Sequence, residues 1–181
     1  MSKISPVIGR YVTIEVDGLE YKVFYLENGT GQPLVCQHTA GCHNHQWRDL
    51  LEDEEITANY RVIAYDLPRH GKSDPPENTA WWTEEYKLTA DHYANFIIAL
   101  CDALELESPI FMGSSFGGNI ALQLALRQPE RLVDPLPDPR DFLATALGGT
   151  ASEALATAVP RAESVREGVA IVLASTDFNR R

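Results

Sequence analysis

Apolar residues recur along the chain in short runs that alternate with longer segments of helical spacing. Two runs of alternating apolar and polar residues, 11–16 and 19–26, flank Asp17-Gly18, a dipeptide typical of a tight hairpin turn. Three more continuous apolar runs follow, at residues 34–37, 61–65 and 110–112. Runs of this length and composition are typical of buried strands. The pattern therefore predicts an antiparallel hairpin followed by three buried strands.

Segments with helical spacing separate these strands. Residues 47–58 and 84–104 each predict a helix, and 119–127 predict a buried helix that follows the strand at 110–112 after a tight turn. Strands that alternate with helices indicate an α/β fold whose mostly parallel sheet carries helices on both faces. In such sheets, ligand chemistry collects at the carboxyl ends of the strands. We therefore expect the loops that begin at His38, Asp66 and Ser115 to meet at one crevice.

The pattern changes after residue 132. Three prolines fall within residues 133–139, and proline removes hydrogen-bond donors from a sheet. Beyond them, 141–159 predict an Ala-rich helix interrupted by Gly148-Gly149, and 169–173 predict an apolar strand. We expect residues 1–132 to form the core, and 133–181 to form an atypical Pro/Ala-rich tail of the same domain. The strand at 169–173 is expected to pair beside residues 110–112 and to cover an apolar sheet edge.

Composition narrows the class of protein. The chain has 181 residues, which fits one domain, and its formal charge of −11 argues against a nucleic acid or an anionic membrane as partner. No apolar run approaches the length that spans a membrane, and the N-terminus lacks the apolar core of a signal peptide. The three cysteines show no disulfide framework spacing. We expect a cytoplasmic protein, and an exposed sheet edge would favour a homo-oligomer.

The turn between the strand at 110–112 and the following helix contains the clearest chemical signal. Gly113-Ser114-Ser115-Phe116-Gly117 has the pattern G-x-S-x-G with Ser115 at its centre. A nucleophilic serine on a sharp turn needs neighbours without side chains, and the N-terminus of the helix supplies N–H groups for a developing oxyanion. Ser115 is therefore the candidate nucleophile. The alternative is a glycine-rich turn that only lets the helix and the strand pack closely.

Three motifs in order extend this signal. They are QHTAG at residues 37–41, YDLPRHGKSDPP at 65–76 and MGSSFGGNIALQLALRQPERL at 112–132. Together they resemble the α/β-hydrolase fold family over roughly residues 10–132. The resemblance implies a serine hydrolase that acts on an ester, a lactone or a related carbonyl substrate through an acyl-enzyme on Ser115. It implies a small-molecule substrate and neither a metal nor an organic cofactor.

The resemblance also assigns roles to the neighbouring loops. The oxyanion hole would use the N–H of Phe116 together with an N–H near Thr39 or Ala40, and Thr39 stands where the family usually has glycine. The 66–73 segment resembles the family motif D-x-x-G-x-G-x-S, with Pro68 in place of the first glycine. Asp66 and His70 are accordingly expected to be scaffold residues.

The triad of the family runs serine, acid, histidine along the chain, but all five histidines here precede Ser115. Asp177, after the predicted strand at 169–173, is the candidate acid of the tail. His43, His45 and His92 are alternative bases. Because the tail also lacks room for the usual last strands and histidine loop, we expect a fold incomplete at its C-terminal side, in a truncated, frame-shifted or internally deleted chain.

Two other functions compete with catalysis. Cys36, Cys42 and three histidines at 38, 43 and 45 crowd one segment, which suggests a zinc site, although their spacing is not that of common zinc ligands. The second alternative is a degenerate hydrolase scaffold that binds a small molecule or a protein without catalysis. Trp81 and Trp82 would then line the mouth of a site or pack over helices.

Overall fold

The structure is a computed structural model that describes residues 4–83, 85, 89–128, 140 and 151–162. The chain divides into two compact units, residues 1–132 and 133–181. The predicted strand at 169–173 and the candidate acid Asp177 lie outside the described residues, as does most of the predicted helix at 141–159.

The described part of the first unit contains strands and helices in the predicted alternation. The strands are β1 (Ile8–Val16), β2 (Leu19–Asn28), β3 (Gln32–Gln37), β4 (Tyr60–Tyr65) and β5 (Ile110–Gly113). The helices are α1 (Arg48–Glu52), α2 (Glu54–Thr57), α3 (Ala90–Ala103) and α4 (Phe116–Arg127). A short 3-10 helix, Asn44–Trp47, precedes α1.

The five strands form one sheet in the order β1-β2-β4-β3-β5. β2 is antiparallel to both of its neighbours, whereas β3 is parallel to β4 and to β5. β1, β3, β4 and β5 therefore point the same way, and their carboxyl ends share one edge of the sheet. The predicted mostly parallel sheet with an antiparallel opening hairpin is confirmed. The hairpin turns at Asp17 and Gly18, whose φ angles of +54° and +77° are those of a two-residue primed turn.

Alternate residues of the central strands face two separate apolar clusters. Val35 and Ile63 pack on one face with side chains of α3 and α4, including Phe96, Leu100 and Leu124. Their neighbours Leu34, Cys36, Val62 and Ala64 pack on the other face with Leu51 of α1 and with Trp47. Because both faces are buried, these strands are apolar at almost every position. The expectation of helices on both faces is confirmed.

The predicted helix at 47–58 is broken in the structure. Asp53 separates α1 from α2 with an extended backbone, and its carboxylate accepts the N–H groups of Glu55 and Ile56. Aspartate is a favourable N-cap because its oxygen satisfies N–H groups that have no partner within the helix. The apolar residues of this segment, Trp47, Leu50, Leu51 and Ile56, nevertheless all belong to the second apolar cluster.

Two other helix starts differ from the predicted ones. α3 begins at Ala90 instead of residue 84, because Thr89 is extended and its hydroxyl accepts the N–H of His92. α4 begins at Phe116 instead of residue 119, so the helix starts directly after the candidate nucleophile. Glycine at 117 and 118 weakens the sequence signal for a helix, and packing against the sheet overrides that preference.

The described residues of the second unit include α5 (Glu153–Ala158), followed by a 3-10 turn at Val159–Arg161. The hydroxyl of Ser152 accepts the N–H of Leu155 and caps α5. None of the helices in the described ranges is both long and apolar enough to cross a membrane.

The Thr89 cap yields a stability prediction. Thr89→Ala removes the hydroxyl that accepts the N–H of His92, so we expect the free energy of unfolding to fall by about 1 kcal/mol. Thr89→Ser keeps the acceptor and should stay within a few tenths of a kcal/mol of the wild type. Urea unfolding followed by circular dichroism measures both. Equal stability of the Ala variant and the wild type would contradict the cap.

Candidate active site

Ser115 sits at the sharp turn between β5 and α4. Its backbone has φ +52° and ψ −112°, a left-handed conformation that few residues other than glycine adopt. The residue is exposed, and its side chain makes no capping hydrogen bond to α4. A non-glycine residue held in such a conformation costs of order 1–3 kcal/mol and persists only where the surroundings impose it. The turn therefore holds the Ser115 hydroxyl outside the packed core.

The two outer glycines of the G-x-S-x-G pattern impose this turn. A Cβ atom on Gly113 would lie 2.2 Å from the carbonyl carbon of Gly117. A Cβ on Gly117 would lie 2.6 Å from the carbonyl oxygen of Gln37 at the end of β3. Both distances are far below van der Waals contact, so the backbones of β5, α4 and β3 approach one another only because these side chains are absent. A Cβ on Gly118 would meet its nearest atom at 3.4 Å, an ordinary contact.

The N-terminus of α4 faces the nucleophile. Phe116 is the first residue of the helix, so its N–H has no acceptor within α4. Within the described residues this N–H makes no other hydrogen bond. α4 has 12 residues, and the positive end of its dipole lies at this N-terminus. The Phe116 N–H is accordingly one available donor for a negative oxygen beside Ser115.

The loop after β3 contains the two candidates for the second donor, Thr39 and Ala40, and their hydrogen bonds differ. The Thr39 N–H donates to Oε1 of Gln46 at 2.9 Å. On the other side of the same peptide, the His38 carbonyl accepts from Nε2 of Gln37 and lies 3.1 Å from the position of a Cβ on Gly117. Because a trans peptide points its C=O and N–H in opposite directions, the Thr39 N–H faces away from the turn at Ser115.

Ala40 is the other candidate. Its N–H makes no hydrogen bond to any described residue, and Ala40 is exposed. The carbonyl of the same peptide belongs to Thr39 and accepts from His38 Nδ1 at 2.7 Å and from the Cys42 N–H at 3.3 Å. Those two donors fix the plane of the peptide and so fix the direction of the Ala40 N–H. Ala40 is the better candidate of the two.

His38 is fully buried and connects two loops of the site. Its Nε2 accepts the N–H of Leu67 at 3.2 Å, which leaves Nδ1 to donate to the Thr39 carbonyl. These partners require a neutral ring protonated on Nδ1. Burial lowers the pKa of His38, while the hydrogen bond to Thr39 acts in the opposite direction. The ring therefore orients the loop and offers no nitrogen to Ser115.

Asp66 holds the neighbouring loops. One carboxylate oxygen accepts the N–H of Asn44 at 2.6 Å, and the other accepts the N–H of Lys72 at 2.9 Å. The Ser73 hydroxyl donates to the Asp66 carbonyl and accepts the N–H of Phe24. Both oxygens of this buried carboxylate are thus occupied by backbone donors, which is the arrangement expected of a scaffold residue.

One detail of the 66–73 motif is corrected. The interpretation that Pro68 replaces the first glycine of the family motif is wrong, because the left-handed position is Arg69 with φ +64°. The guanidinium of Arg69 lies 5.0 Å from the ring centre of Trp81. This contact between a cation and an aromatic ring holds the side chain on Trp81. Trp81 is partly buried against Arg69, whereas Trp82 is 70% exposed.

Two of the three alternative bases, His43 and His92, have hydrogen bonds at a ring nitrogen, and the third, His45, stacks on His43. His43 begins the 3-10 helix, where its Nδ1 accepts the N–H of His45, and the two rings stack. His92, at the edge of the apolar stripe of α3, contacts Asp17 through Nδ1 at 2.9 Å, and this hydrogen bond lowers the pKa of Asp17. No histidine of the described residues hydrogen-bonds to Ser115. Asp177 lies outside the described residues.

The segment with clustered cysteine and histidine does not assemble as a metal site. Among the described residues, no group of three or more His, Cys, Asp or Glu side chains is arranged to hold a metal ion. Cys36 is buried in β3, and burial raises the pKa of its thiol to about 12, which disfavours the thiolate that zinc requires. Cys42 lies on the loop after β3 and is partly exposed.

Comparison with known proteins gives a consistent picture. A family model for the alpha/beta hydrolase fold matches residues 32–133. The 2-hydroxymuconate semialdehyde hydrolase of Pseudomonas sp. (strain CF600) is 33% identical over 129 residues, which cover 71% of this chain and 42% of that protein. A 2-hydroxy-6-oxononadienedioate/2-hydroxy-6-oxononatrienedioate hydrolase of Burkholderia vietnamiensis is 33% identical over 126 residues, or 68% of this chain and 41% of that protein.

Solved structures share the fold. The naproxen esterase of Bacillus subtilis superposes with a TM-score of 0.56 at 25% identity and covers 94% of this chain and 63% of that one. An esterase of Thermogutta terrifontis superposes with a TM-score of 0.57 at 20% identity, over 94% of this chain and 73% of that one. The chain spans about two-fifths of the length of the curated relatives named above.

Adjacent glycines of α4 offer a matched test of the turn. Gly117→Ala places a Cβ 2.6 Å from the Gln37 carbonyl, so we expect the free energy of unfolding to fall by about 1–3 kcal/mol. Gly118→Ala, with its nearest contact at 3.4 Å, should change it by less than about 0.5 kcal/mol. Urea unfolding of the two variants gives the comparison. Similar losses in both would refute the close approach at Gly117.

The neutral His38 ring predicts a pH dependence. Because its pKa is lowered in the folded protein, the unfolded chain binds the proton more readily below about pH 6.5. The free energy of unfolding should therefore fall as the pH drops through 6.5. His38 contributes at most about 1.4 kcal/mol of this loss per pH unit. We expect a shallower loss in His38→Gln, measured by urea unfolding between pH 7.5 and 5.5. Parallel curves for variant and wild type would contradict the assignment.

Proposed function

This chain belongs to the alpha/beta hydrolase fold family, and from that premise we propose that it is a serine hydrolase with Ser115 as nucleophile. The observation that carries the proposal is the strained, exposed position of Ser115 at the start of α4. A serine that only ended a strand would not need a left-handed backbone held by two glycine contacts. The proposed site comprises Ser115 with the N–H groups of Phe116 and Ala40, the latter preferred to Thr39.

The proposed reaction is acyl transfer. The Ser115 oxygen attacks the substrate carbonyl, and the N–H groups of Phe116 and Ala40 bind the oxyanion of the tetrahedral intermediate. Collapse of the intermediate expels the leaving group, which takes up the proton given up by the Ser115 hydroxyl, and leaves an acyl ester on Ser115. Water then attacks this ester: its oxygen and one hydrogen go to the released acid, and its other proton restores the Ser115 hydroxyl.

The first step needs a base that accepts the Ser115 proton. All five histidines precede Ser115 in the chain, and within the described residues none of them hydrogen-bonds to Ser115. We propose Asp177 as the acid, from its place after the apolar run at 169–173. A serine without a base is an ordinary alcohol, and the remaining acceleration comes from the oxyanion donors and from substrate binding.

The substrate class follows from the relatives by analogy. Their names describe hydrolases of a semialdehyde and of oxo-dioates, which are small molecules with carbonyl groups. We propose a small carbonyl compound for this chain: an ester, a lactone or a ketone with a cleavable neighbouring carbon–carbon bond. The formal charge of −11 disfavours nucleic acid as a partner. We propose a cytoplasmic location because the three cysteines show no disulfide spacing and are free thiols.

A non-catalytic scaffold is the second candidate function. It is favoured by the absence, within the described residues, of a histidine bonded to Ser115. In this case the crevice at the carboxyl ends of the strands would bind a small molecule or a protein without turning it over. The strained turn at Ser115 counts against it, because a binding scaffold has no use for that strain.

A fluorophosphonate probe distinguishes the two candidates. We expect the folded chain to be labelled at Ser115 alone, because the oxyanion donors and the exposed hydroxyl support phosphonylation. Ser115→Ala and a heat-denatured sample should remain unlabelled, and mass spectrometry of the modified peptide locates the adduct. A folded sample that takes up no probe would favour the scaffold. Labelling at another serine would contradict the assignment of Ser115.

Turnover should be low even if Ser115 reacts. With no base identified, we expect hydrolysis of activated nitrophenyl esters at roughly 10³–10⁴-fold over the uncatalysed rate, the range left when a triad member is missing. The release of nitrophenol, compared with Ser115→Ala, measures it. Rates typical of intact serine hydrolases would show that a base exists and would direct the search to His43, His45 or His92.

A further inference from the structure

Gln46 lies on the 3-10 helix behind the loop that follows β3. We propose that it is a positioning residue: its amide oxygen holds the Thr39 N–H and thereby makes Ala40 the oxyanion donor of the loop. The inference rests on the proposed function of Ser115 and adds a residue to the site. Its basis is the pattern of hydrogen bonds on the two peptides between His38 and Ala40.

The first of these peptides is held from both sides. Gln46 Oε1 accepts the Thr39 N–H at 2.9 Å, and Gln37 Nε2 donates to the His38 carbonyl at 2.9 Å. The two glutamine side chains therefore fix the plane of one peptide. Without the Gln46 side chain, the partly buried Thr39 N–H would lack a hydrogen-bond partner. That loss favours rotation of the peptide toward another acceptor.

The second peptide determines which N–H is available. Its carbonyl, that of Thr39, accepts from His38 Nδ1 at 2.7 Å and from the Cys42 N–H at 3.3 Å, and these donors set the direction of the Ala40 N–H. Because Gln46 occupies the Thr39 N–H, the Ala40 N–H is the one left available. Rotation of the first peptide would release the Thr39 N–H from Gln46 and disturb the adjoining peptide that carries the Ala40 N–H. Gln46 therefore acts through the loop backbone and without contact to the reacting atoms.

The position of Gln46 is itself fixed. Its neighbour Trp47 packs in the apolar cluster with Leu51, and the Asn44 N–H at the start of the same 3-10 helix donates to Asp66 at 2.6 Å. An amide attached to this rigid turn loses less entropy on bonding than one on a mobile segment. Gln46 thus links the loop after β3 to the packed core.

Three variants test the role. Gln46→Met removes the acceptor at similar size, Gln46→Glu retains an acceptor, and Gln32→Met is the matched control. Gln32 donates a side-chain hydrogen bond to the Ser108 carbonyl at the opposite end of β3. The measurements are amide exchange of Thr39 and Ala40 by NMR, and the rate of fluorophosphonate labelling at Ser115 per folded molecule.

We expect exchange of the Thr39 amide to accelerate by about tenfold or more in Gln46→Met, since a side-chain hydrogen bond protects it, and to stay near wild type in the other two variants. Labelling should slow by about tenfold in Gln46→Met, less than the 10²–10³-fold for outright loss of a donor. Gln46→Glu should restore most of the rate. Unchanged Thr39 exchange in Gln46→Met, or a labelling loss no greater than that of Gln32→Met, would overturn the inference.

Failure of the proposed function gives a different result. If wild-type protein takes up no probe, Ser115 is not an activated nucleophile, but Thr39 exchange still reports on Gln46. Faster exchange in Gln46→Met would then support the positioning of the loop, and unchanged exchange would refute it. The two measurements together separate a misassigned nucleophile from a misassigned positioning residue.

Discussion

The site depends on one steric constraint, the contact between backbones that carry no side chains at Gly113 and Gly117. It brings the first turn of α4 against the ends of β5 and β3, within distances that exclude a Cβ atom. The strain at Ser115 is the cost of that junction, and burial of Ile120 and Leu124 from the same helix offsets it. The free N–H of Phe116 results from the geometry without any further residue.

Near this junction, buried side chains connect the segments that follow β3 and β4. His38 connects the loop after β3 to Leu67, and Asp66 connects it to Asn44 and Lys72. In each connection, a side chain of His38 or Asp66 accepts a backbone N–H. The bonds therefore do not depend on which side chain the donor residue carries. Unpaired buried polar groups are costly, which makes the full pairing of Asp66 and His38 a source of rigidity.

The sequence predicted those features that depend on near neighbours. The Asp17-Gly18 hairpin, the order of strands and helices and the turn around Ser115 all have local signals, and each is present in the structure. Other features were missed. The break at Asp53 was missed although its hydrogen bonds are local, because the apolar helical spacing continues through it. Arg69 takes a left-handed conformation while its side chain packs on the more distant Trp81. Gln46 has no local motif, because its role arises only from the position of Thr39 in space.

The strand order affects how the chain can fold during synthesis. β3 lies between β4 and β5 in the sheet, both of these partners come later in the chain, and Leu34 pairs with Ile110. At a synthesis rate of about 5–20 residues per second, the edge of β3 that receives β5 stays uncovered for several seconds after β3 emerges from the ribosome. The turn that presents Ser115 also ends that exposure, because β5 enters the sheet immediately before it. Pairing of β5 with β3 and formation of the turn at Ser115 therefore involve adjacent residues of the chain.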